Sequence, residues 1–194
     1  MTNELLATEP SDAPPPEPHL VHATFAAGCF WGLQHAMQAL PGVVRARSGF
    51  TAGQPLRNGR LPTYAVVSSG KSGFAEAVRV AYDPTLIPYS ALLETWWAQL
   101  EDPTDGTGAG NNRGLQYRPL ICWHTEAQRA EAAAFLEREA KALHLPDAAA
   151  LAVKLWPATA FTEAEEVHQD YISKGGLDSE PEVPYWMGSF VDEV

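Results

Sequence analysis

A lone cysteine set between a strand and a helix constrains this chain more than any other feature. Gly28-Cys29-Phe30-Trp31-Gly32 follows the apolar, strand-like run from Val21 to Ala27. It precedes an amphipathic stretch in which Phe30, Leu33, Met37 and Leu40 recur at helical spacing. A thiol at such a junction meets the positive end of a helix dipole and several unpaired N–H groups. Both favour thiolate, so the sequence predicts a Cys29 pKa below the ~8.5 of a free cysteine. Two glycines and two large aromatics around it predict a nucleophile beside an apolar pocket. The same five residues also fit a buried cysteine with two core rings, and the rest of the chain has to decide.

The bulk properties narrow the classes. The 194 residues suffice for one domain with a full core. An apolar fraction of 45% and a charged fraction of 19% are those of a globular protein and exclude a fibrous or wholly disordered chain. The net charge of −11 argues against nucleic acid and anionic membrane as partners, since both need clustered Lys and Arg. Two cysteines 93 positions apart form neither a disulfide framework nor a CxxC site. Six histidines without HxxxH spacing give no support to a metal site. No apolar run approaches the roughly 18 residues of a membrane span, and no basic residue precedes Arg45, so a secretory signal is not expected. A monomer in the reducing cytoplasm is the expectation.

Residues 1–19 carry four acids, five prolines and no basic residue, which predicts a disordered tail. Residues 20–174 read as the catalytic domain. Residues 175–194 open with Gly175-Gly176 and read as irregular coil wrapping that domain, anchored by Tyr185, Trp186 and Phe190. Strands are predicted over Val21–Ala26, Val43–Phe50, Ala75–Tyr82, Tyr117–Trp123 and Ala152–Trp156. Helices are predicted over Phe30–Leu40, Tyr89–Gln99, Glu126–Leu143 and Glu163–Ser173. Capping boxes at Thr125/Gln128 and Thr162/Glu165 support the last two. Strands and helices mix without a βαβα rhythm or a phosphate-binding glycine fingerprint, so the expected fold class is α+β, a two-layer sandwich.

Among the groups able to do chemistry, Glu76 stands out. Strand alternation places it on the face of Val78, Val80 and Tyr82. A desolvated carboxyl there keeps its proton near neutrality and can donate it; the alternative is a carboxylate that reaches water or Arg79. Tyr64 and Tyr117 offer uncharged hydroxyls suited to polarising an oxygen, or are plain core aromatics. His168 reads as helical, with a solvent-facing alternative. A phosphatase-like loop needs an arginine six positions after the cysteine, and His35 occupies that place.

Seven segments occur in order: Gly28–Gly32, Gly49-Phe50-Thr51-Ala52-Gly53, Pro62-Thr63-Tyr64, Gly73-Phe74-Ala75-Glu76-Ala77-Val78, Asp102-Pro103-Thr104, Gly114-Leu115-Gln116-Tyr117-Arg118 and Ala164-Glu165-Glu166-Val167-His168-Gln169. Together they resemble the type A peptide methionine sulfoxide reductases, over about Phe25 to Lys174. The resemblance implies a ferredoxin-like core with irregular terminal extensions. It implies a peptide-methionine (S)-S-oxide reductase that acts on peptide-bound or free methionine sulfoxide. In that reading Cys29 attacks the sulfoxide sulfur and becomes a sulfenic acid, while Glu76 donates a proton and Tyr64 and Tyr117 hydrogen-bond the departing oxygen. Phe30, Trp31, Asn112 and His168 bind the substrate. No cofactor is implied beyond an external thiol reductant, such as thioredoxin, glutaredoxin or a small thiol.

The chain departs from the family pattern at three points. Phe74 stands where a histidine is usual, which dries the surroundings of Glu76 if the ring packs nearby. Asn112 aligns with a usual aspartate and loses its charge. The third departure concerns recycling: Cys122 is the one candidate resolving cysteine in the sequence given. In one straight strand it lies about 16 Å from Tyr117 on the opposite face, beyond the roughly 7 Å between Cα atoms that a disulfide allows. A one-cysteine enzyme is therefore expected. A non-catalytic or weakly catalytic sulfoxide-binding module, or a reductase of a different small sulfoxide, are the competing functions.

Overall fold

The computed structural model describes residues 19–54, 56 and 59–176. The predicted acidic tail and the C-terminal wrap lie outside the described residues, apart from His19, Gly175 and Gly176.

Six strands form one sheet: β1 (Val21–Ala26), β2 (Val43–Thr51), β3 (Ala75–Tyr82), β6 (Leu120–Trp123), β7 (Lys154–Pro157) and β8 (Thr162–Glu163), in the order β7-β6-β1-β3-β2-β8. All neighbours are antiparallel except β6 and β7. With helices α1 (Phe30–Gln38) and α3 (Tyr89–Trp97), strands β1, β2, β3 and β6 follow one another as β-α-β-β-α-β in the spatial order 4-1-3-2. That is the ferredoxin-like core. A five-residue helix α2 (Tyr64–Ser68), a small hairpin of β4 (Gly108–Ala109) and β5 (Asn112–Arg113), and a long helix α4 (Glu126–Ala142) complete the set.

The alternation of β1 and β3 decides which side is core. Phe25, Val78, Val80 and Tyr82 face the helices and meet Leu33, Met37, Leu92, Leu93, Trp96 and Phe135 in one buried cluster. The reverse face is smaller: Ala26, Ala75, Ala77, Leu120 and Cys122 pack under Ala52 and Phe161. The buried Trp96 indole donates to the Ala26 carbonyl at 2.8 Å and fixes the end of β1 just before the cysteine.

All five predicted strands and three of the four predicted helices are present, with ends shifted by a few residues. Thr125 caps α4 by accepting from the Gln128 N–H at 3.2 Å, and the Gln128 side chain reaches back to the His124 N–H. The strand predicted from Tyr117 begins only at Leu120, because Pro119 offers no backbone donor and Leu115–Tyr117 close a 3-10 turn. The predicted helix Glu163–Ser173 is wrong. Thr162 and Glu163 pair with β2 instead of capping a helix, and a single 3-10 turn, Glu166–His168, follows. Hydrogen bonds to the edge strand outweighed helix propensity there.

The approach of β8 to β2 is close enough to require a glycine. A Cβ at Gly49 would overlap the Thr162 carbonyl oxygen and the Phe161 ring. Gly49→Ala is expected to lower stability by about 1–3 kcal/mol, read as an earlier urea midpoint at unchanged slope. A midpoint equal to that of the wild type contradicts this packing.

Candidate active site

Cys29 is the N-cap residue of α1, preceded by Gly28 at φ +82, a conformation that glycine adopts freely. The strand therefore ends, turns sharply and places the thiol at the start of the helix. The next residue, Phe30, donates its N–H to Glu76 Oε2 at 3.2 Å. Glu76 lies on the helix-facing side of β3, 1% exposed, opposite Phe50 in the adjacent strand. Its other carboxyl oxygen, Oε1, is buried and meets no hydrogen-bond partner among the described residues. This is the core-facing arrangement, not one that reaches water or Arg79.

Burial raises the Glu76 pKa to about 8, against a smaller lowering from the Phe30 N–H. The carboxyl is thus protonated at neutral pH. The thiol departs from expectation. Cys29 is half-buried, and desolvation first, then the Glu76 carboxylate, push its pKa up; the Trp31 N–H pulls the other way without forming a capping hydrogen bond. The helix dipole alone predicts a thiolate, but burial outweighs it. Site residues in the resting protein are a neutral thiol beside a neutral acid.

Tyr117 shares this environment. Its pKa is raised by burial first and then by Glu76, Tyr64 and Cys29, which brings these four groups together. The 3-10 turn that carries Tyr117 is clamped by Arg118. The guanidinium donates to the carbonyls of Leu115 at 2.5 Å, Ala52 at 3.1 Å and Gly73 at 3.0 Å, joining the turn to the ends of β2 and β3. Tyr64 opens α2, and its N–H is held by the Glu165 carboxylate at 3.1 Å.

Aromatic rings gather around Phe30 and Trp31. The Tyr64 ring stacks on His168 with centroids 4.0 Å apart, and Trp31 stacks on Tyr171 at 3.8 Å. Phe30 lies 5.8 Å from Phe50, 6.1 Å from Tyr64 and 6.1 Å from His168. His168 is therefore half-buried in a ring cluster rather than displayed on a helix, and burial lowers its pKa, keeping it neutral. Tyr171 and Phe50 belong to this cluster and were not singled out from the sequence. Phe50 sits inside the quoted Gly49–Gly53 segment, but nothing in periodicity distinguished it from core.

Asn112 lies half-buried on the β4–β5 hairpin, and that hairpin packs against Tyr117 through Gly108. Phe74 is buried against Gly53 in the helix-side cluster that also holds Val78, two positions past Glu76. Cys122 is buried on the opposite face of the sheet with Leu120 and three alanines, and its pKa is pushed up to about 12. A small cleft bordered by Gly28 and Tyr117 is also lined by Gln99, Glu101, Asp102 and Asp105. Among the described residues no group of three or more His, Cys, Asp or Glu could hold a metal ion, and no helix is long and apolar enough to cross a membrane.

A half-buried thiol next to a buried protonated acid, walled by aromatic rings, suits attack on a soft, weakly polar centre whose departing oxygen needs a proton. Residues 21–183 match the family model of peptide methionine sulfoxide reductase. The chain belongs to that family. It is 43% identical over 161 residues to the peptide methionine sulfoxide reductase MsrA of Methanoculleus marisnigri, which covers 83% of this chain and 94% of that one. Its fold resembles reduced Mxr1 from Saccharomyces cerevisiae, with a TM-score of 0.76 and 26% identity over 89% of this chain and 92% of the other. It also resembles methionine sulfoxide reductase A of Corynebacterium diphtheriae, with a TM-score of 0.69 and 30% identity over 86% and 80% of the two chains. This reductase family performs thiol-dependent reduction of methionine sulfoxide, and the chain is an enzyme of that class.

The two raised pKa values predict a specific reactivity. Below pH 8 Glu76 is neutral and exerts no repulsion on the thiol; above it the carboxylate holds Cys29 protonated. Glu76→Gln should therefore leave the rate of Cys29 alkylation by iodoacetamide unchanged at pH 6.5 and raise it several-fold at pH 9. Equal rates at both pH values contradict the coupling.

Proposed function

We propose that Cys29 is the nucleophile and Glu76 the proton donor in reduction of the S epimer of methionine sulfoxide. The buried Phe30 N–H···Glu76 Oε2 hydrogen bond carries this reading, because it fixes the acid beside the residue that follows the thiol. A sulfoxide oxygen departs poorly unless protonated as sulfur is attacked. Glu76, titrating near 8, holds the proton at neutral pH. Tyr64 and Tyr117 hydrogen-bond the same oxygen, while Phe30, Trp31 and His168 enclose the methyl group and Asn112 contacts the substrate's polar backbone.

The atoms balance in two stages. Cys29 sulfur bonds to the substrate sulfur as Glu76 passes its proton to the oxygen, and the resulting carboxylate takes up the thiol's proton. The oxygen passes to Cys29, two electrons pass to the substrate sulfur, and the products are methionine and a Cys29 sulfenic acid. Two equivalents of an external thiol then return Cys29 to the thiol, releasing water and a disulfide. The reductant is a small thiol or a protein dithiol of the thioredoxin or glutaredoxin class. Placement of Cys122 on the opposite face of the sheet supports direct reduction of the sulfenic acid.

Single turnover tests the chemistry. Wild-type protein without reductant should release about one methionine per chain from an S-epimer sulfoxide peptide and gain one oxygen at Cys29 by mass spectrometry. Glu76→Gln should slow that step about 10²–10⁴-fold. Sulfoxide binding without methionine release would point to a binding module instead. Cys122→Ser should keep full turnover with dithiothreitol; a Cys29–Cys122 disulfide in the wild type, or loss of turnover in the variant, overturns the one-cysteine scheme.

A further inference from the structure

One wall of the ring cluster comes from residues 164–171, a stretch whose single regular feature is a three-residue 3-10 turn. A buried pair of amides holds it in place. Gln169 Nε2 donates to the carbonyls of Ser48 at 2.9 Å and Ala164 at 3.0 Å. Its Oε1 accepts from the Ser48 N–H at 2.9 Å and from Gln34 Nε2 at 3.0 Å. Gln34 Nε2 also donates to Ala46 O at 3.1 Å, and its Oε1 accepts from Ser48 Oγ at 3.0 Å and Asp170 N–H at 2.9 Å. Both side chains are buried, at 1% and 0% exposure. Every donor hydrogen and acceptor position of the two amides is used.

The geometry links this network to the rings. Gln34 stands one turn after Trp31 on α1, so the two share a helix face. Gln169 separates His168 from Asp170, and Asp170 adopts φ +53, a backbone conformation that residues with side chains avoid. Its N–H is the one that Gln34 Oε1 captures. This turn lets His168 and Tyr171 both stack on Trp31, at 6.0 and 3.8 Å. With their polar atoms fully engaged elsewhere, neither amide is available to Cys29 or Glu76.

We infer that the Gln34–Gln169 pair, with left-handed Asp170, is a positioning device that sets His168 and Tyr171 against Trp31 and so fixes the slot receiving the sulfoxide's methyl group. This rests on the proposed role of Trp31 and His168 in substrate binding. Fully satisfied buried networks specify a single arrangement, and these amides act on substrate only through the rings. Their loss accordingly widens the slot and leaves the thiol and acid in place.

Gln169→Glu is close to isosteric but turns two donated hydrogen bonds into contacts between oxygen atoms at Ser48 and Ala164. Steady-state kinetics on a methionine sulfoxide peptide with dithiothreitol should show KM raised about tenfold or more, kcat within about threefold, and Cys29 alkylation by iodoacetamide at the wild-type rate. Protonating the introduced carboxyl restores one donor, so the KM defect should shrink from pH 8 toward pH 5.5. Asp170→Gly, which accepts the left-handed backbone, should keep the wild-type KM, whereas Asp170→Val should raise it; this pair decides the matter if Gln169→Glu does not fold. An unchanged KM in folded Gln169→Glu, or equal KM values for Asp170→Gly and Asp170→Val, overturns the positioning role. Absence of methionine release by the wild type would instead remove the assignment of the site itself.

Discussion

One buried hydrogen bond, from the Phe30 N–H to the Glu76 carboxyl, ties the first turn of α1 to the second residue of β3. A helix start leaves its N–H groups without partners inside the helix. Here one of them is spent on a carboxyl that the sheet buries. The same contact aligns the cysteine at the helix N-cap with an acid on the neighbouring strand, so the site follows from the way helix and sheet are joined. Burial then sets the protonation states. Both groups are neutral at rest because burial disfavours either charge. In the proposed reaction the sulfoxide oxygen takes the acid's proton, and the carboxylate so formed accepts the thiol's.

The remaining groups of the site are placed by polar anchors more than by regular elements. Arg118 fixes the turn of Tyr117 through three carbonyls, and Glu165 holds the N–H of Tyr64. The segment after β8 is reinforced at the surface by Arg47, which pairs with Glu163 and Glu166 at 3.0 Å each. Solvent screening makes these exposed pairs minor contributors to stability. The buried amides of Gln34 and Gln169 carry more of the specification, since an unpaired amide in the core is costly. Rigid sheet below and anchored irregular chain above together define the pocket.

Alternation and helical spacing made the α+β elements legible, while the ferredoxin-like arrangement came with the family resemblance: β1, β2 and β3 lie where their apolar pattern puts them, and the side of β3 that Glu76 faces followed from its partners Val78, Val80 and Tyr82. Two readings failed for the same physical reason. The stretch from Glu163 has helix-forming residues, yet β2 and the Gln34 amide offered its backbone better partners, an interaction between residues more than a hundred positions apart. Cys29 sits at a helix N-terminus as the local sequence implies, but its pKa depends on burial and on Glu76, 47 positions away. Gln169 closes one of the quoted segments, yet its part in the site, like that of Tyr171, went unread for a related cause. Their importance lies in what they touch, and local periodicity reports only which side of an element a residue occupies.

The proposed chemistry requires Glu76 to carry a proton at neutral pH beside a thiol that is also neutral. Infrared difference spectroscopy against pH, with Glu76→Gln as the reference that identifies the band, measures this directly. The protonated carboxyl band of Glu76 should persist through pH 7 and disappear with a midpoint near 8. A band already lost by pH 5.5 would mean that the buried carboxyl is ionised at rest, and the acid role assigned to it would be wrong.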